Sequence, residues 1–149
     1  MTSTTQDIVV EEVLPHTPGT IWKTLTTGEL IGRWLRMTPA GFEPVKGTRF
    51  TFQTRPAGAW DGVIHCEVLE VARNERLSYS WVSGDEGNVG YGSRLDTVVT
   101  FTLAGVEGGT RLRLVHSGFV TPMNDAALRN MREGWNKVVG NIGVISGEQ

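Results

Sequence analysis

The chain has 149 residues, with 14 Lys+Arg against 16 Asp+Glu and a formal net charge of -2. That length suits one domain with a core of its own, without disulfide staples. The near-neutral balance excludes the basic excess that nucleic-acid or anionic-membrane binding requires. The lone cysteine, Cys66, leaves no intramolecular disulfide and no cysteine metal cage.

In chain order, the polar stretch Met1–Asp7 reads as a flexible tail without signal-peptide character. A single domain is expected over residues 8–147. Ile8–Leu14 is β-branched and predicts a strand that Pro15 stops. Thr17-Pro18 is a hydroxyl cap followed by proline at the first helical position. Ile21, Trp22 and Leu25 follow at helical spacing. Thr26–Glu29 has capping-box spacing and predicts a second short helix carrying Leu30, Ile31, Trp34 and Leu35. Pro39, Gly41, Pro44 and Gly47 then break the chain.

Strands accumulate next. Thr48–Thr54 places Phe50 and Phe52 on one face. Trp60–Val71 is a long strand whose face is ambiguous. Ile64, Cys66 and Val68 compete with Val63, Leu69 and Val71, and a bulge would reconcile them. Leu77, Tyr79 and Trp81 alternate with Ser78 and Ser80. Gly84–Ser93 reads as a glycine-rich connection or lid. Its Gly87–Gly92 run lacks the Lys-Ser/Thr of a phosphate loop. Val99, Phe101 and Leu103 share a face, as do Leu112, Leu114 and His116. Thr121-Pro122 repeats the cap-then-proline signal. Leu128, Met131, Trp135, Val138, Ile142 and Ile145 then form one apolar stripe, which predicts a helix from Pro122 to Ser146.

Segregated strands and helices indicate an α+β fold. One-sided strands indicate an antiparallel sheet with a solvated back. The striped helix is the element that would cover its inner side, and residual space between them would be lined by both.

At this point the chain resembles a known family. Trp22–Thr26, Gly62-Val63, Glu67–Val71, Leu77–Trp81, Val99–Leu103, Gly108–Leu112, His116–Phe119 and Gly134-Trp135 stand in the order and spacing of the activator-of-Hsp90-ATPase-like branch of the START/Bet v 1 (SRPBCC) superfamily. The resemblance implies a helix-grip fold: a curved antiparallel sheet around a long C-terminal helix, two short helices after strand 1, and a cavity between. It implies binding of a small apolar or aromatic molecule, and in some members cyclase or hydrolase chemistry. Self-pairing as a homodimer is within its range. A chaperone-interacting module of the Hsp90-activator kind is a further alternative, although Hsp90 itself is a doubtful partner, since the eukaryotic activator carries a separate N-terminal domain without a counterpart in this sequence. No cofactor, nucleic acid or membrane is expected, and the expected location is the cytoplasm.

The residues expected to line the ligand site are Trp34, Phe52, Trp60, Tyr79, Trp81, Phe101, Leu114, His116, Met131 and Trp135. His116 points inward by alternation. It is either a ligand-orienting or acid–base group, or a buried imidazole satisfied by a neighbour. Tyr79 and Trp81 offer a polar tip on an apolar wall, or plain core. Met131 and Trp135 are helix-stripe residues that would form the cavity floor. Trp34 and Trp60 lie near element ends, where an entrance would sit. Gly134, inside a helix, predicts a close approach of that helix to the sheet or a ligand. His16, His65 and His116 match no metal spacing.

Overall fold

A computed structural model describes residues 4–149. The elements are β1 (Thr4–Leu14), α1 (Pro18–Thr26), α2 (Gly28–Leu35), β2 (Arg49–Gln53), β3 (Val63–Ala72), β4 (Arg76–Ser83), β5 (Leu95–Val106), β6 (Gly109–Thr121) and α3 (Asp125–Ser146). The six strands form one curved antiparallel sheet in the order β1-β6-β5-β4-β3-β2. The strands are consecutive neighbours except that β1 closes on β6. One set of alternating side chains faces inward: Phe50 and Phe52, Ile64 and Val68, Tyr79 and Trp81, Val99 and Phe101, Leu112 and Leu114. All are buried.

α3 packs across this inner side, against β1, β6, α1 and α2. Its buried stripe is Leu128, Trp135, Val139, Ile142 and Ile145. Each such side chain contributes about 1.5–3 kcal/mol by leaving water. Polar ties fix the helix end. His16 Nε2 donates to Gly143 O at 2.9 Å, and the Thr24 and Ser146 hydroxyls lie 2.8 Å apart in the interior. The half-exposed Arg33–Glu148 pair, at 2.7 Å, adds little.

Several boundaries differ from the sequence expectation. β1 begins at Thr4, not Ile8. Thr4–Gln6 pair with Phe119–Thr121, and a register shift at Asp7 lets its carboxylate accept from Gly118 N–H at 3.2 Å. The rest of the expected tail, Met1–Ser3, lies outside the described residues. α3 begins at Asp125 rather than Pro122. Thr121 stays in the β6 ladder opposite Thr4, so it does not cap a helix. The Thr121-Pro122 peptide is cis. The capping box at Thr26–Glu29 does not form. Thr26 and Thr27 instead donate back to Trp22 O and Lys23 O, both at 2.7 Å, and finish α1. At Thr17 the cap forms, accepting from Thr20 N–H at 3.3 Å.

β3 starts at Val63, because Gly62 turns the chain at a positive φ of 83°. Ile64, Cys66 and Val68 take the inner face, and a register shift between Val68 and Glu70 explains the competing pattern. The close helix–sheet approach expected at Gly134 occurs at Gly143 instead, where a Cβ would lie 3.0 Å from Leu14 Cδ2. A Cβ on Gly134 meets nothing within 4 Å.

Gly134 therefore carries the entropic cost of a helical glycine without a packing return. Gly134→Ala should stabilise the fold by about 0.5–1 kcal/mol. That raises the melting temperature by roughly 1–4 °C in a chain this size. Scanning calorimetry checks it, and a lowered melting temperature would mean that this gap serves a purpose the alanine methyl disturbs.

Candidate functional site

The interior is built around a chain of hydrogen bonds through His116, which is fully buried. Trp135 Nε1–H donates to His116 Nδ1 at 2.9 Å. An indole nitrogen can only donate, so Nδ1 is an acceptor and the imidazole proton sits on Nε2. Nε2–H then donates to Thr97 Oγ1 at 2.7 Å, and Thr97 Oγ1–H donates to Trp81 O at 2.8 Å. One polar line thus runs from α3 through β6 and β5 to β4. Burial holds the His116 pKa down at about 3. The imidazole is neutral at pH 7, and both its nitrogens are engaged. It is the satisfied buried histidine, not a group poised for acid–base work near neutrality.

Aromatic rings fill the space around it. Trp81 lies 5.4 Å from His116 and 6.0 Å from Trp135, and Phe101 lies 6.2 Å from Trp135. Trp34 stacks edge-on against Phe101 at 5.9 Å, and its indole donates to Thr24 O at 2.9 Å. Tyr79 packs on Phe50 and Phe101. Burial, and then the neighbouring Cys66, raise its hydroxyl pKa well above the usual value. Burial likewise pushes the Cys66 thiol up to about 12, which leaves it unreactive.

The open space lies at one end of this core. A cavity of about 220 Å³ sits between the ends of β3, β4 and β5 and the first turns of α3. Ile64, Trp81 and Leu95 form its sheet wall, and Ala127, Asn130 and Met131 form its helix wall. Met37 closes one side. The roof is two connections, 54–62 and 84–94, which supply Thr54, Trp60, Tyr91, Gly92 and Ser93. The connections are tied to each other. Asn88 Nδ2 donates to Ala57 O at 2.7 Å and to Gly92 O at 3.1 Å, and Tyr91 O–H donates to Arg55 O at 2.8 Å. Trp60 anchors its own loop by donating to Val63 O at 2.9 Å and faces Tyr91 at 5.9 Å. A side chain at Gly92 would run into Asn88 and Ala57, so glycine there is a condition of the roof. Among the described residues no ionisable Asp, Glu, Lys, Arg or His lines the cavity. Larger depressions elsewhere are more open to solvent. The one of about 420 Å³ over the edge strands carries Arg49, His65 and Glu67 at its rim.

Of the ten residues expected to line a ligand site, Trp60, Trp81 and Met131 border this cavity. Trp34, Phe52, Tyr79, Phe101, Leu114, His116 and Trp135 do not; they are buried in the closed core beside it. Sequence reasoning missed the loop contributors Thr54, Tyr91 and Ser93, the helix residues Ala127 and Asn130, the strand residues Ile64, Ser83 and Leu95, and Met37 and Gly92. The two glycine-punctuated connections were the available signal for the first three. Alternation along strands cannot reveal them.

This architecture is that of a helix-grip protein: one curved antiparallel sheet holding a long C-terminal helix, with an apolar chamber at the end of their interface. The family model described as Activator of Hsp90 ATPase homolog 1-like protein matches residues 15–146, and the chain belongs to that family. A crystal structure of the MLL2253 protein of Mesorhizobium loti is similar over 97% of this chain and 98% of its own, with 34% identity and a TM-score of 0.81. The solution structure of the BH1534 protein of Bacillus halodurans shares the fold at 23% identity and a TM-score of 0.74, over 98% of this chain and 99% of its own. CalU16 of Micromonospora echinospora does so at 19% identity and a TM-score of 0.70, over 98% and 87%. No curated protein matches.

His116 makes stability pH-dependent with a definite sign. Its folded pKa lies below the ordinary histidine value of 6.5, so between the two values the unfolded chain binds the proton and the folded chain does not. Stability is complete above the unfolded value and is lost as pH falls toward 3. Urea unfolding should give about 2 kcal/mol less stability at pH 5 than at pH 7 from this residue. His116→Gln should flatten that difference. A His116 ring resonance that titrates between pH 5 and pH 8 would contradict the assignment.

Proposed function

We infer that the protein binds a small, uncharged, apolar or aromatic molecule in the chamber between the sheet and α3. One observation carries this reading: the core is closed everywhere around His116, yet opens into a space whose walls are apolar and whose lining is free of charge. Ligand sites combine apolar walls with a few polar groups in this way. The size bounds the occupant. An apolar cavity of ~150 Å³ accommodates benzene, so about 220 Å³ suits one ring with a short substituent. It falls below the ~300–1,000 Å³ of most drug-sized sites. An extended lipid or sterol does not fit without opening the roof. Binding rather than catalysis is favoured, since neither His116 nor Tyr79 borders the chamber and His116 is held neutral.

Ethylbenzene serves as a neutral probe. Titration into the full-length protein should shift the resonances of Trp60, Trp81 and Met131 and raise the melting temperature as mass action requires. Ala127→Phe, which fills the chamber from the helix side, should abolish both effects while the fold is retained. Unchanged spectra with ethylbenzene at saturation would remove the ligand-binding reading.

A further inference from the structure

We propose that the occupant is an uncharged aryl carbonyl compound, a single-ring ketone or aldehyde, whose oxygen is received by the Trp81 indole N–H. This deepens the ligand-binding reading and rests on it. The indole groups of Trp34, Trp60 and Trp135 each have a protein acceptor, at 2.9 Å in every case. Trp22 and Trp81 have none among the described residues; Trp22 borders an open surface depression, whereas Trp81 is only 3% exposed. Among the described residues, no side-chain nitrogen or oxygen sealed from solvent lacks a partner. The Trp81 N–H therefore opens on free space, and the space that Trp81 borders is the chamber.

Two more groups on the same lining have the same sense. Ser93 Oγ accepts from Asn124 Nδ2 at 3.1 Å, which leaves its own hydrogen to donate. Ser83 is 6% exposed and borders the chamber, and its hydroxyl has no protein partner among the described residues. Its place next to Trp81 on β4, one full pleat along, puts it on the same face. The buried polar groups of the lining thus present donors, and the lining holds no cation; Thr54 and Asn130 add a hydroxyl and an amide nearer the solvent. A neutral acceptor satisfies it. A pure hydrocarbon strips water from the indole N–H and returns nothing. A carboxylate enters without a counter-charge, which costs more. A flat ring also suits the two indoles, Trp60 and Trp81, that share the walls.

The test compares three compounds of one shape on the full chain: acetophenone, ethylbenzene and benzoate. Acetophenone should bind about 3–10-fold more tightly than ethylbenzene, the range of one net hydrogen bond. It should move the Trp81 indole N–H resonance downfield, and ethylbenzene should not. Benzoate should bind more weakly than either. Trp81→Phe should bring the ratio of acetophenone to ethylbenzene affinity toward one, whatever the smaller ring does to the binding of both. The wild-type indole resonance needs no variant, so the test survives if Trp81→Phe does not fold. Equal affinities for ketone and hydrocarbon, an unmoved Trp81 resonance at acetophenone saturation, or tighter binding of benzoate each overturns the carbonyl proposal and leaves the ligand-binding reading standing. Failure of all three compounds to bind overturns both.

Discussion

The structure depends on how one buried imidazole is satisfied. β6 places His116 inward by strict alternation with Leu112 and Leu114, in the most apolar part of the molecule. An unpartnered polar group there costs about 1–3 kcal/mol, so partners must come from neighbouring elements. Trp135 supplies a donor from α3 and Thr97 an acceptor from β5. The donor-only chemistry of the indole fixes the tautomer, and the tautomer fixes what Thr97 must do. The bond from Trp135 to His116 Nδ1 ties the rotation and height of α3 to the sheet. Apolar packing holds the helix against the sheet, and this directional link selects one seating among the many that packing alone would tolerate.

That seating determines where open space can exist. With Trp135 committed to His116, its ring also meets Trp81 and Phe101, and the middle of the sheet–helix interface is filled. Toward the C-terminal end of α3, Gly143 lets the helix close on Leu14, and His16 and Thr24 hold it there. The first turns of α3 have smaller groups, Ala127 and Asn130, and face the far ends of β3, β4 and β5. The interface is tight at one end, full in the middle and open at the other. The chamber is what remains of a curved sheet that a single helix cannot cover evenly.

Most of the fold was legible because the strands obey a simple rule. Leu77, Tyr79 and Trp81, then Val99, Phe101 and Leu103, then Leu112, Leu114 and His116 assign their own inner faces by period two, and the α3 stripe assigns its own by period 3.6. The resemblance supplied the arrangement of these parts. Local signals failed where long-range pairing outbid them. Thr121-Pro122 has the form of a helix start, yet Thr121 is worth more in the ladder with Thr4. Thr26 and Thr27 have cap chemistry, yet they close the helix behind them. The division of inward residues between solid core and cavity wall was not legible. Phe101 and Trp81 look alike in alternation, and only the depth of the helix above each one separates them. Core and wall also share one composition, so aromatic supply does not mark a pocket.

The two connections that roof the chamber explain why its chemistry is hidden from strand-based reading. Their glycines and prolines read as punctuation, but Asn88, Tyr91 and Trp60 lock them into a cover with no regular structure. The cover adds Ser93 to the β4 residues Trp81 and Ser83, so that two separate stretches of chain supply three donors to one lining. Trp81 itself joins the two systems. Its carbonyl closes the His116 line through Thr97, and its indole borders the chamber. The backbone atom that completes the core's hydrogen bonding thus fixes the ring that faces the occupant. A chamber wall braced in this way is preformed, so a ligand need not meet the cost of ordering it.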